Sequence, residues 1–185
     1  MNKKTIVITG CGSGLGKIAA ITLAKRGHKV IATALYDNEV TELNNIAKNE
    51  NLDLLSFKLD ITLEEDRNKL LSYDFDTLIN NAAIGNSGSI CEIPINNFIN
   101  VFNTNVFSNI LITQTAFKVF NKNGYGRIIF ISSLVGRSSL PFLAPYCSSK
   151  FAIEGLVESF MLEMKILKNY FNIFHNRLQN KRSAT

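Results

Sequence analysis

Three polar residues in the second half of the chain have types and spacing suited to proton transfer. Tyr146 and Lys150 lie four residues apart, which places them on one face of a helix. A tyrosine hydroxyl ordinarily titrates near pH ~10, and a lysine ammonium beside it favours the phenolate needed for acid–base work. Ser133 follows an apolar run, at the carboxyl end of a predicted strand, where parallel sheets bind ligands. Its hydroxyl is suited to hydrogen-bonding a substrate carbonyl or alcohol.

A glycine cluster near the amino terminus predicts a phosphate-binding loop. It lies between a strand and a helix, so its backbone N–H groups and the helix N-terminus can face a phosphate. A Walker loop is excluded, because Ile18 follows Lys17 and Cys11 takes the position of the leading glycine. The G-x-G-x-x-G pattern also fails, because Leu15 takes its last position. The remaining pattern is T-G-x-x-x-G-x-G, and its position favours a ligand loop over a glycine-rich turn without one. The cluster reads Thr9-Gly10-Cys11-Gly12-Ser13-Gly14-Leu15-Gly16.

Short apolar runs alternate with segments of helical period along the chain. The predicted strands are Thr5–Thr9, Lys29–Ala34, Leu54–Leu59, Thr77–Ile79 and Arg127–Ile131. The predicted helices are 15–26, Val40–Asn49, 63–72, Ile95–Phe120 and Tyr146–Lys168. This alternation predicts an α/β fold with a doubly wound parallel sheet of the Rossmann type, in a single domain.

Composition excludes several classes of partner. The chain has 185 residues and a formal net charge of +5, but residues 1–163 are neutral, and the excess of bases follows Glu163. A short basic tail is usually solvated, so no nucleic-acid partner is expected. The three cysteines lack CxxC spacing and the two histidines are far apart, so no metal site is expected. The sequence contains no apolar stretch typical of a secretion signal or a membrane span, which predicts a cytoplasmic protein without a membrane partner.

Five signatures in order make the sequence resemble the short-chain dehydrogenase/reductase family. After the glycine cluster, Asp60 ends the third strand, and Asn80-Asn81-Ala82-Ala83 matches N-N-A-G with Ala83 replacing glycine. Asn105 matches a helix asparagine, and Ser132-Ser133 ends the fifth strand. Tyr146 and Lys150 match Y-x-x-x-K, with Ser133 thirteen residues before the tyrosine.

The resemblance implies an NAD(P)-dependent oxidoreductase that transfers a hydride between a nicotinamide and an alcohol or carbonyl substrate. It makes Tyr146 the general acid/base, while Lys150 holds the nicotinamide ribose and tunes Tyr146. Ser133 polarises the substrate, and Asn105 orders a proton-relay water through its helix. The cofactor-binding residues that it implies are Thr9, Gly10, Gly12, Ser13, Gly14, Leu15, Gly16, Asp37, Asp60, Ile61, Asn81, Ala82, Ala83, Tyr146 and Lys150.

The resemblance implies NAD or NADP as the cofactor, and the end of the second strand favours NAD. An acidic residue there would accept the ribose hydroxyls of NAD, and a basic one would pair with the phosphate of NADP. The acidic and basic positions fall at about Ala34 and Leu35, which carry no charge. Asp37 is the nearest charged residue. Ser13 is not the basic residue that many NADP-using members carry in the loop.

The resemblance runs to about Ile173, which predicts a domain over 1–173 and a basic polar tail over 174–185. Family members continue with a sixth strand, a substrate loop and a seventh strand. Here the sixth strand is barely begun at Asn172–Phe174, so we expect a C-terminally shortened member whose sheet has a bare edge beside the fifth strand. An alternative function is therefore a truncated, non-catalytic dinucleotide-binding or regulatory module, or an inactive fragment. In the family, helices like 95–120 and 146–168 pack between subunits, which implies a homodimer or homotetramer.

Overall fold

Six strands and six α-helices make up the part of the chain that the computed structural model describes, which is residues 3–166 and 171–175. The strands are β1 (Thr5–Ile8), β2 (Lys29–Ala34), β3 (Leu54–Lys58), β4 (Thr77–Asn80), β5 (Gly126–Phe130) and β6 (Phe171–His175). The helices are α1 (Gly14–Lys25), α2 (Asp37–Asn49), α3 (Glu64–Asn68), α4 (Ile95–Phe102), α5 (Ser108–Asn123) and α6 (Ala144–Ile166). Single 3-10 turns cover Lys69–Ser72 and Leu134–Gly136.

The strands form one parallel sheet in the order β3-β2-β1-β4-β5-β6. Strand order runs outward in one direction from β1 to β3 and in the other from β4 to β6. The sheet therefore has its topological switch point between β1 and β4, where doubly wound folds bind ligands outside the carboxyl ends of the strands. The predicted doubly wound parallel sheet is confirmed.

The expected bare edge beside the fifth strand is wrong. β6 pairs with β5 along its whole length, from Gly126 opposite Phe171 to Phe130 opposite His175. Pairing of parallel strands uses backbone N–H and C=O groups, so a strand forms here without a long apolar run in the sequence. β6 extends two residues past the predicted domain boundary at 173, and residues 176–185 of the predicted tail lie outside the described residues.

Alternate residues of the central strands enter two apolar clusters on opposite faces of the sheet. Ile6 and Ile8 pack with buried residues of α1 and α2, whereas Val7 packs with buried residues of α5 and α6. Side chains alternate between the faces of a strand, so a strand covered by helices on both faces is apolar throughout. This arrangement explains why the strands appear in the sequence as uninterrupted apolar runs.

The segment predicted as one helix over Ile95–Phe120 is helical but contains a π-helical turn. α4 ends at Phe102, the π-helical turn covers Asn103–Phe107, and α5 then continues to Asn123. α6 begins at Ala144, two residues before Tyr146. Within the two ranges that the structure describes, no helix is long and apolar enough to cross a membrane.

Aromatic rings fill the layer between α5 and the sheet. Phe120 is fully buried, and its ring meets that of Phe75 edge-on with the centroids 5.4 Å apart. The ring of Phe117 lies at 6.3 Å on another side. Gly126, the first residue of β5, faces the Phe120 ring so closely that a Cβ there would lie 2.2 Å from its Cγ. The start of β5 therefore requires a residue without a side chain.

We expect Gly126→Ala to destabilise the protein by about 1–3 kcal/mol, because the new methyl group overpacks the ring of Phe120. Urea unfolding measures the effect. The matched control is Gly155→Ala in α6, where the added methyl group meets no atom within 4 Å. There alanine should raise the free energy of unfolding by about 0.5–1 kcal/mol, because it suits a helix better than glycine. Equal stability of the two variants would contradict this account.

Candidate active site

A cleft of ≈ 660 Å³ opens at the switch point, beyond the carboxyl ends of β1, β2, β3 and β4. Most of the predicted cofactor-binding residues meet there, although they come from three segments of the chain. The structure places in the lining Gly10, Gly12, Ser13, Gly14, Leu15, Gly16, Asp60, Ile61, Asn81, Ala82 and Ala83. Thr9, Asp37, Tyr146 and Lys150, which were predicted with them, are not part of this lining.

The glycine loop is packed tightly against the end of β4. Gly10 has a φ of +68°, and a Cβ there would lie 2.7 Å from the Cα of Ala82. A Cβ at Gly16 would lie 2.3 Å from the carbonyl oxygen of Gly10, so the start of α1 also approaches the loop closely. These contacts require glycine at both positions. They leave the backbone at the first turn of α1 open to the cleft, as anion binding at a helix N-terminus needs.

Thr9 and Asn81 hold this loop in place. The Thr9 hydroxyl oxygen accepts hydrogen bonds from the backbone N–H groups of Asn81 (3.1 Å) and Ala82 (3.0 Å). In return, the Asn81 amide nitrogen donates to the carbonyls of Thr9 and Gly10, both at 2.9 Å. Thr9 is fully buried beneath the loop. In this structure it therefore positions the loop from below.

Cys11 joins the same loop to β2. Its backbone N–H donates to the carbonyl of Thr33 at 2.7 Å, and its thiol donates to the carbonyl of Ile8 at 3.3 Å. Burial raises the pKa of the Cys11 thiol to about 12. The thiolate is therefore not formed near neutral pH, and Cys11 serves as a packed apolar residue beneath the loop.

The carboxylate that α2 presents to the cleft belongs to Glu39 and not to the predicted Asp37. Asp37 begins α2, and its Oδ2 lies 2.9 Å from the Nζ of Lys58 on β3, with the Asp37 side chain 80% exposed. The carboxylate that lines the cleft from α2 belongs to Glu39. From the third strand, Asp60 lines the cleft, and its Oδ1 accepts hydrogen bonds from the backbone N–H and hydroxyl of Thr62 at 2.8 and 2.7 Å.

Lys150 is the buried basic group among the three residues predicted to act in proton transfer. It is 4% exposed, and its Nζ donates a 2.8 Å hydrogen bond to the carbonyl of Ile131, just past the end of β5. The same Nζ lies 5.6 Å from the centroid of the Tyr146 ring. Burial lowers the pKa of Lys150 to about 8. The ammonium is therefore retained at neutral pH beside the tyrosine, although it is held at an electrostatic cost.

Ser133 lies two residues beyond Ile131, at the same end of the sheet. It is half-buried and precedes the 3-10 turn Leu134–Gly136. Its hydroxyl oxygen accepts a hydrogen bond from the backbone N–H of Val135 at 3.4 Å. This contact orients the hydroxyl and leaves its proton available for donation.

The Asn105 side chain joins the π-helical turn to two other segments. It is fully buried, and its amide accepts from the N–H of Ile84 and donates to the carbonyl of Ile84, both at 2.8 Å. The same amide nitrogen donates to the hydroxyl of Ser149 at 3.0 Å. Ser149 in turn donates to the carbonyl of Tyr146 at 2.8 Å. Asn105 thus ties the end of the β4 segment to the first turns of α6.

Sequence reasoning missed the roles of Ser149 and Glu39. Ser149 lies within the Y-x-x-x-K segment, three residues after Tyr146, and is fully buried. Nothing in its own position indicates a bond to Asn105, which is 44 residues distant in the chain. Glu39 carried one usable signal, since an acidic residue three positions after a helix start often bonds back to the chain there. Within the ranges described, no group of three or more His, Cys, Asp or Glu side chains is placed to hold a metal ion.

Comparison with known proteins decides the family. A family model described as short chain dehydrogenase matches residues 4–173. The chain belongs to the short chain dehydrogenase family. The family resemblance given by the sequence motifs is therefore confirmed, and the match extends into β6.

The relatives and solved structures agree with this assignment. The chain is 36% identical over 174 residues to the uncharacterized oxidoreductase YusZ of Bacillus subtilis, covering 89% of this chain and 61% of that protein. It is 35% identical over 159 residues to an NADPH-dependent pterin aldehyde reductase of Arabidopsis thaliana, covering 83% of this chain and 66% of that protein. A short chain dehydrogenase/reductase from Burkholderia phymatum, solved in complex with NAD, has the same fold. Its TM-score is 0.88 at 22% identity, with 94% of this chain and 64% of that chain covered. The chain thus spans about two thirds or less of the length of each of these proteins.

We expect Asn105→Ala to lower the free energy of unfolding by about 3 kcal/mol, because the buried polar groups of Ile84 and Ser149 lose their partner. Urea unfolding measures the loss. Asn103→Ala is the matched control, because Asn103 lies in the same π-helical turn with an exposed side chain. A loss of the same size in both variants would show that the π-helical turn, and not the amide of Asn105, is sensitive to substitution.

The depressed pKa of Lys150 predicts a pH-dependent stability. The unfolded chain holds the proton up to lysine's ordinary value of 10.5, whereas the folded chain releases it near pH 8. Below pH 8 the burial of the charged ammonium therefore lowers the free energy of unfolding by its full amount. This loss of stability shrinks as the pH rises towards 10.5. Relative to Lys150→Met, the wild-type protein should gain about 2 kcal/mol between pH 7 and 10. Denaturant unfolding of both proteins across this range measures it, and a constant difference would contradict the burial of a charged lysine.

Proposed function

We propose that this protein is an NAD(P)-dependent oxidoreductase that transfers a hydride between a nicotinamide cofactor and an alcohol or carbonyl substrate. The observation that carries the proposal is the meeting of two groups at one end of the sheet. The glycine-lined cleft lies at the switch point between β1 and β4, and Ser133, Tyr146 and Lys150 lie at or beyond the end of β5. The names of relatives such as YusZ and the pterin aldehyde reductase favour an enzyme over a non-catalytic binding module.

The cleft fits a dinucleotide, because its floor is backbone. Side chains at Gly10 and Gly16 would fill the space that the tightly folded loop occupies. With Ser13 preceding α1, the first N–H groups of the helix face the cleft and would hold the pyrophosphate. Asp60 and Ile61 would border the adenine, and Asn81, Ala82 and Ala83 would line the path towards the end of β5. When bound, the nicotinamide accepts or supplies the hydride.

Residues of the chain itself would transfer the proton. The phenol oxygen of Tyr146 gives a proton to the carbonyl oxygen during reduction and takes it from the alcohol during oxidation. The Lys150 ammonium, fixed on the carbonyl of Ile131, stabilises the phenolate that remains and would also hold the nicotinamide ribose. The Ser133 hydroxyl donates to the substrate oxygen. The proton-relay water that the family resemblance assigns to Asn105 stays a prediction, supported by the position of Asn105 between Ile84 and the start of α6.

Further parts of this proposal concern the choice of cofactor and assembly. NAD is favoured, because no basic side chain lines the cleft within the described ranges. A homodimer or homotetramer through α4–α5 and α6 is supported by large apolar side chains exposed on these helices, among them Phe107, Leu111, Phe151 and Leu162. A cytoplasmic location stays a prediction.

The test is direct titration of the protein with NADH and NADPH, followed by turnover on a panel of ketones and alcohols. Tyr146→Phe should still bind the dinucleotide and should lower turnover by about a hundredfold or more, because only the acid–base hydroxyl is removed. Tyr125→Phe is the control, since its hydroxyl bonds to Asp76 beside the amino end of the sheet. Nicotinamide fluorescence reports binding and nicotinamide absorbance reports turnover.

Three outcomes separate the alternatives. Failure of the wild-type protein to bind either dinucleotide would overturn the proposal. Turnover that survives Tyr146→Phe would overturn the role given to Tyr146. Tight binding with no turnover on any member of the panel would favour the non-catalytic binding module over the enzyme.

A further inference from the structure

Glu39 occupies a distinctive place in the cleft. It comes from the first turn of α2 and is half-buried, and it lies against the glycine loop on the opposite wall. A Cβ at Gly12 would lie 2.1 to 2.3 Å from the carboxyl carbon and both carboxyl oxygens of Glu39. The carboxylate therefore packs directly on the Cα of Gly12, in space that a side chain at position 12 would fill.

A second contact fixes the direction of this carboxylate. Its Oε2 accepts a hydrogen bond from the backbone N–H of Tyr36 at 3.2 Å, at the point where β2 has ended and α2 begins. One side of the carboxylate is thus engaged with the chain. An ionised carboxylate has about four lone-pair positions, so it retains acceptor capacity beyond this bond.

Two lysines contact acidic residues of α2, but neither is paired with Glu39. The Nζ of Lys17 lies 2.6 Å from a carboxyl oxygen of Glu42, one turn farther along α2. The Nζ of Lys58 lies 2.9 Å from Asp37. The charged side chains that line the cleft are those of Glu39 and Asp60, and none of the lining residues in the described ranges is a lysine, arginine or histidine. The cleft is consequently a place of negative charge beside the end of β2.

We propose that Glu39 is the residue that selects NAD over NADP in this chain, an inference that rests on the proposed function. In doubly wound folds the adenosine ribose lies beside the end of the second strand, where an acid accepts its hydroxyls. Glu39 supplies that acid from the first turn of α2, since positions 34 and 35 are Ala and Leu. The 2′-phosphate of NADP carries about −1.5 to −2 charges near pH 7, so the same carboxylate repels it.

The experiment measures the dissociation constants of NADH and NADPH for the full chain and its variants. The wild-type protein should bind NADH more tightly by about tenfold or more, as expected for a charge–phosphate repulsion at close range. Glu39→Gln should narrow that ratio by about tenfold. Glutamine keeps an oxygen acceptor for the N–H of Tyr36, so the start of α2 is preserved. The matched control is Glu50→Gln, which removes a charge at the far end of the same helix, outside the cleft, and should leave the ratio unchanged.

A measurement on the wild-type protein alone gives a second test. Salt screens repulsion between partly exposed charges, so the preference for NADH should shrink as the salt concentration rises. A preference that does not change with salt would contradict an electrostatic origin. This arm needs no substitution and therefore holds even where a variant fails to fold.

The remaining outcomes distinguish this inference from the proposed function. Binding of NADPH as tightly as NADH by the wild-type protein would overturn the role of Glu39 and leave the proposed function intact. An unchanged ratio in Glu39→Gln, or a change in Asp37→Asn instead, would overturn it as well. Absence of binding to both dinucleotides would overturn the proposed function and this inference with it.

Discussion

The hydrogen bonds between Thr9 and Asn81 are the constraint on which the cleft depends. β1 and β4 are neighbours in the sheet but are separated by about 70 residues of chain. Their carboxyl ends are joined because the hydroxyl of Thr9 accepts from the start of the segment after β4, and the amide of Asn81 donates to the loop after β1. Together with the pairing of β1 and β4, this exchange holds Gly10 against Ala82. The side chains of Thr9 and Asn81 thus serve as structural bonds, and the lining of the cleft beside them is formed by the glycine loop.

Lys150 shows a related compromise between stability and chemistry. An ammonium group that is 4% exposed is expensive to bury, and the fall of its pKa to about 8 expresses that cost. The hydrogen bond to the carbonyl of Ile131 recovers part of it and fixes the charge where α6 meets the end of β5. The same burial strengthens the field that the ammonium exerts on its surroundings, because little water screens it. The same burial that costs folding energy thus places a weakly screened positive charge beside Tyr146.

Local sequence patterns predicted most of the strands and helices. Contacts between residues far apart in the chain determined the features that these patterns missed. The apolar run Lys29–Ala34 is a strand buried on both faces, with Ile31 in one apolar cluster and Val30 and Ala32 in the other. The π-helical turn at Asn105 could not be predicted, because its hydrogen-bond partners are Ile84 and Ser149. Asp37 is the nearest charged residue to the end of the second strand in the sequence, but its carboxylate pairs with Lys58, 21 residues away, and Glu39 lines the cleft instead. β6 was underestimated because a five-residue strand gains its stability from the neighbouring β5, which its own sequence does not display.

The contact between Gly12 and Glu39 has a consequence for how this loop can evolve. The two side-chain volumes share one space, since the carboxylate occupies the position of a Cβ at residue 12. A homologue with alanine or a larger residue at position 12 must therefore carry a shorter or differently directed side chain at position 39. A substitution at position 12 would thus redirect the Glu39 carboxylate and change the charge on that wall of the cleft.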